Sequence, residues 1–224
     1  MNKEWSELNK TMQAQIKKKD TYKMGIDTLF NLRRQLMQTL VSFKEDLCRE
    51  DFNAIPFINA DGYHSKTIAY SIWHIFRIED IVAHTVITED EQVFFTGNYQ
   101  VRINSPIITT GNELVKQQIA DFSKQLNLEE LYSYIFEVRE STEKILERFS
   151  YDELKWKIPD ERKGYLKSLN VVNCDEKAIW LIDYWCSKDI RGLIQMPFSR
   201  HWIMHTEACL RIKNKMHSLS LIHI

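Results

Sequence analysis

Residues Thr21–Glu50 read TYKMGIDTLFNLRRQLMQTLVSFKEDLCRE, and this stretch decides the fold class. Leu29, Leu32, Leu36, Leu40, Phe43 and Leu47 recur every three or four residues, the period that lines up side chains on one face of an α-helix. The segment therefore reads as an amphipathic helix of several turns that buries one stripe against other helices.

The rest of the chain repeats this pattern between breakers. Five of its six glycines and all four prolines gather at Pro56 and Gly62, at Gly97, Pro106 and Gly111, at Pro159 and Gly164, and at Gly192 and Pro197. The long intervals between them read as helices. A shorter helix is expected over about Asn2 to Lys18. Ser65 is the expected N-cap of a helix running to about Thr88, with the stripe Ile68, Ile72, Ile75, Val82 and Val86. Glu89–Gly111 holds VFFTGNYQVRINSPIITTG, whose β-branched residues suggest a long connection containing a short strand pair. Asn112 is read as the cap of a helix to about Leu126, and another helix spans about Leu128 to Phe149. Ser150–Cys174 reads as a hairpin or irregular loop, Asp175–Gln195 as an aromatic-rich helix, and Pro197 suits the first turn of a final helix reaching about Met216. The closing octet HSLSLIHI has lost helical spacing. The expected fold is all-α: helix packed on helix in a bundle with long crossover connections and a short β-hairpin insertion. The expected division is an N-terminal helical extension over 1–20, a bundle over 21–216 and a tail over 217–224.

Composition narrows the function classes. The chain has 224 residues, 44% of them hydrophobic and 27% charged, with a formal net charge of −1. A size of this order fits one domain with a substantial core, and the balanced charge offers no footprint for nucleic acid. No apolar run approaches the length of a membrane span, and the polar N-terminus lacks the apolar core of a secretory signal, so no membrane partner and a cytoplasmic location are expected. Cys48, Cys174, Cys186 and Cys209 show no C-x-x-C spacing and read as reduced thiols.

The chemistry concentrates in MPFSRHWIMHTEACLRIK, Met196–Lys213. His201 and His205 lie one helical turn apart, on a face shared with Ala208 and Ile212, so both imidazoles point inward. Such a pair either grips a divalent ion or bonds carbonyls and hydroxyls inside a bundle. A metal-activated water usually needs a third protein ligand. His64, His74, His84, Cys209 and a carboxylate are the candidates; His74, flanked by Trp73, Ile75 and Phe76 in mid-helix, is the best placed. The zinc-protease motif H-E-x-x-H is excluded because Trp202 stands where its glutamate belongs.

Three segments together carry a family resemblance: SIWHIFRIED (71–80), YIFEVRESTEKILERFSYDEL (134–154) and the RHWIMH that opens the last helix. The chain resembles the DinB/YfiT-like superfamily of four-helix-bundle metalloenzymes over roughly Thr21–Met216. The resemblance implies a three-histidine site made by His74, His201 and His205, holding zinc or nickel with water completing the shell. It also implies hydrolysis or thiol transfer, with a low-molecular-weight thiol as a cosubstrate, a small-molecule substrate and a homodimer. Three neutral imidazoles leave the charge of an ion uncompensated, which suits acidification of water or a thiol. Glu79, inside the apolar stripe, is read either as a proton shuttle or as a buried ion pair with an arginine such as Arg139. Arg77 and Arg200 either steer an anionic substrate or are solvated. The alternative function is a non-catalytic helical binding protein whose histidines are structural.

Overall fold

The computed structural model describes residues 2–220. Helix α1 (Lys3–Gln15) starts at Asn2, whose side chain accepts from the N–H groups of Glu4 and Trp5. It packs antiparallel on α2 (Tyr22–Asp46), with Glu4 bonded to Gln35 at one end and Gln15 to Thr28 at the other. The approach is close because position 25 is glycine: a Cβ there would come within 2.5 Å of the Ile16 side chain. The predicted stripe of α2, from Leu29 to Phe43, is buried.

After the short α3 (Arg49–Asn53) comes the central helix α4 (Ile68–Asp80), every residue of which is buried. Its cap is Thr67, whose hydroxyl accepts from the Tyr70 N–H, so the helix begins two residues later than a Ser65 cap would give. Ile81–Thr88 continues it as a wider π-helical segment ending at Glu89.

The strand pair expected in Glu89–Gly111 is not there. That region forms two short helices, α5 (Val93–Thr96) and α6 (Tyr99–Ile103), and the described residues contain no strand beyond one isolated bridge between Lys157 and Asp189. The buried Asp80 carboxylate supplies the reason: it accepts from the N–H groups of both Val93 and Phe94 at 2.9 Å and so caps α5. Phe94 and Tyr99 then pack on Tyr134. A tertiary cap thus overrides local β propensity.

Helix α7 (Gln117–Gln125) starts five residues after Asn112, following Lys116 at a positive φ of 50°, and α8 (Leu128–Arg148) is capped by Asn127. The stretch read as a hairpin or loop contains a 3-10 turn at Glu153–Lys155 and α9 (Glu161–Ser168). Helices α10 (Glu176–Cys186) and α11 (Ile190–Gln195) follow, then a π-helical turn at Met196–Arg200 that takes in Pro197, then α12 (His201–Ser220). The octet read as a tail is helical through Ser220; its last four residues lie outside the described region.

Helices α2, α4, α8 and α12 are arranged in a ring in which α4 touches α8 and α12, and α2 touches the same two. One apolar cluster fills this ring around Trp73, Phe76 and Trp202. A second, around Trp185, Leu193 and Phe198, joins α9–α11 to it.

Candidate metal centre

His74 comes from the middle of α4, while His201 and His205 come from the first turns of α12. Helical spacing directs the latter two to one face, and the packing of α12 on α4 brings His74 opposite them. The ring centroids lie 5.1 Å (74 to 201), 4.8 Å (74 to 205) and 4.6 Å (201 to 205) apart. One ring nitrogen from each falls within 4.8 Å of the others, and all three residues are buried.

The donor set fits a divalent ion. The Nδ1 of His74 lies 2.6 Å from the carbonyl oxygen of Thr110. A carbonyl only accepts, so Nδ1 carries the proton and Nε2 keeps its lone pair for a ligand bond, an arrangement common behind metal-binding imidazoles. The carbonyl is held in place by Gly111, whose φ of +75° leaves space only 3.0 Å from Tyr70 and Trp73 for any added Cβ. The Nδ1 of His201 is buried with no hydrogen-bond partner among the described residues. Burial lowers the pKa of His74 to about 4 despite the Thr110 bond, and puts His201 and His205 well below the usual imidazole range, with the neighbouring rings adding to the effect. Three neutral imidazoles are therefore ready as ligands across the physiological range.

The centre forms one end of a cavity of about 430 Å³. Trp180, Leu181, Tyr184 and Trp185 of α10 line it, with Met196 and Met204 beside the histidines. Lys66, Tyr70 and Asn112 supply its polar contacts.

The remaining site candidates are placed differently. Glu79 is fully buried and does not line the cavity; Arg33 grips both its oxygens at 2.7 and 2.9 Å, and Trp202 donates to it at 2.7 Å. The partner arginine is thus Arg33, and Arg139 joins the same network one step out, through Glu143, which also accepts from Arg33. Arg33 additionally lies over the Trp202 ring at 4.4 Å and donates to the Phe198 carbonyl. These contacts tie α2, α4 and the start of α12 together next to His201. Arg77 is buried away from the cavity, donating to the Ile108 carbonyl and lying over Phe94; Arg200 is exposed and also outside the lining. His84 is engaged with Asp90 and Ser141, and the thiol of Cys209, pushed up by burial to about 12, belongs to the core.

Sequence reasoning did not single out Arg33, Lys66, Thr110 or the aromatic wall of α10 as site residues. Arg33 left a readable signal: it shares a face with Leu29, Leu36, Met37 and Leu40, where an unpaired guanidinium is costly. No family model matches the chain, and no curated protein matches its sequence.

Proposed function

We propose that this chain is a divalent-metal-dependent enzyme of the DinB-like type, acting on a small molecule by hydrolysis or thiol transfer at a centre held by His74, His201 and His205. The observation that carries the proposal is the convergence of three buried, neutral imidazoles from two helices on one point at the end of a cavity. The ring of α2, α4, α8 and α12 supports the bundle assignment.

A zinc or nickel ion there supplies Lewis acidity and lowers the pKa of a water or a low-molecular-weight thiol. The chain's own residues do the rest. Thr110 fixes the tautomer of His74. Arg33, Glu79 and Trp202 are positioning residues that set the register of α12 and hence the place of His201 and His205. The aromatic wall from α10 removes water from one side of the bound molecule, which strengthens electrostatic interactions at the centre.

The test is elemental analysis of protein purified without a histidine tag. About one divalent ion per chain is expected, lost in the H201A/H205A variant while its circular dichroism stays helical. A folded wild type that holds no ion and takes up neither Zn²⁺ nor Ni²⁺ overturns the proposal and leaves the histidines structural.

A further inference from the structure

The charge balance of the cavity constrains what enters it. Its lining contains no aspartate or glutamate. Glu113, whose charge acts on Tyr70, is bonded to the Thr109 hydroxyl and stands outside the lining, as does Asp61, which shares a neighbouring depression with Lys66. Lys66 is half-buried at the same end as the histidines, and its charge is felt by both His74 and His205. Its ammonium lies 5.1 Å from the centre of the Tyr70 ring, and among the described residues no carboxylate comes within ion-pairing distance of it. A lysine taken partly out of water without a counter-ion is unfavourable, and burial lowers its pKa accordingly. An ion on the three imidazoles adds two further positive charges and nothing to balance them.

The part of the lining supplied by α10 has the reverse character. Trp180, Tyr184 and Trp185 present aromatic surface, with Trp180 and Tyr184 packed edge to face at 5.8 Å and Trp180 still 49% exposed. Exposed aromatic surface at the mouth of a cavity that ends in positive charge fits an amphiphile of one orientation.

We propose that the cavity takes a small aromatic or branched apolar molecule bearing one carboxylate, with its ring against Trp180, Tyr184 and Trp185 and its negative charge drawn to the end formed by Lys66 and the histidine centre. This names the substrate class for the metal-centre reading above and rests on it for the chemistry, though not for the binding. Lys66 is the specificity-determining residue: it selects the anion over a neutral molecule of the same shape.

The test uses the full chain, both zinc-loaded and in EDTA, with 2-naphthoate and its neutral isostere 2-naphthamide, read by quenching of tryptophan fluorescence and by calorimetry. The naphthoate is expected to bind about tenfold or more tighter than the amide. K66M removes about that factor for the naphthoate and leaves the amide within about twofold, K66R keeps most of the preference, and W180A weakens both probes alike. Zinc stoichiometry is unchanged in K66M. Equal binding of the two probes, a preference in EDTA that survives K66M, or no binding of either probe overturns the proposal. If the wild type takes up no zinc, the metal-centre reading fails, while a Lys66-dependent preference in EDTA still upholds this one.

Discussion

Replacing Arg33 by methionine tests the scaffold beneath the centre. Arg33 is fully buried and holds both oxygens of Glu79, which is itself fully buried. Burial works to lower the pKa of Arg33, but the carboxylates of Glu79 and Glu143 more than offset it and raise the value, so the guanidinium is charged in the fold. Methionine keeps much of the apolar stem and removes the charge. Glu79 is then left in the interior with the Trp202 N–H as its remaining partner. Breaking a buried pair from one side costs about 3–5 kcal/mol, because the orphaned charge loses its partner without regaining water. The Glu143 contact adds little, since Glu143 is partly solvated and keeps Arg139. At roughly 2–4 °C per kcal/mol for a chain of this length, R33M lowers Tm by about 10 °C. The double variant R33M/E79L removes both charges and recovers most of the loss, because apolar replacement of a whole buried pair is close to neutral. Urea and thermal unfolding followed by circular dichroism give both numbers. An R33M variant within about 1 kcal/mol of the parent, or a double variant no more stable than R33M, refutes the reasoning.

Two further outcomes follow from the geometry of the centre. In EDTA, the three histidines stay neutral in the folded chain well below the ordinary imidazole range, down to about pH 4 for His74, whereas in the unfolded chain they titrate near 6.5. The unfolded state therefore binds more protons below pH 6.5, and stability falls as pH drops from there towards 4, by about 1.4 kcal/mol per pH unit for each histidine. Urea midpoints at pH 7.0, 6.0 and 5.0 check this, and H205Q should flatten the slope by one proton; a flat profile across that range goes against neutral burial. Gly111→Ala forces a Cβ to within 3.0 Å of Tyr70 and Trp73 at a left-handed backbone position. It should cost about 1–3 kcal/mol and, by displacing the Thr110 carbonyl, weaken zinc binding about tenfold. Zinc affinity equal to wild type in a folded G111A would remove Thr110 from the account.

The helical class was legible because burial on one face leaves a period that breakers cannot hide, as in Leu29 to Phe43 of α2. His201 and His205 were legible for the same reason, their spacing being a property of one helix. His74 sits on another helix, so its partnership is a consequence of packing that spacing alone does not encode; the resemblance supplied it. What the sequence concealed depends on contacts across the chain. Val93–Gly111 carries strand-forming residues, yet Asp80, thirteen residues upstream of Val93, caps a helix there. Its place inside the apolar stripe marked Glu79 as a carboxylate needing a partner but left the choice of arginine open, because Arg33 lies 46 positions away. Thr110 acts through its backbone, which no side-chain pattern reveals.

X-ray absorption at the zinc edge of the loaded protein tests the central claim most directly. The account predicts scattering from three imidazoles at about 2.0–2.1 Å, falling to two in H74Q. A spectrum with sulfur in the shell, or one that H74Q leaves unchanged, contradicts it.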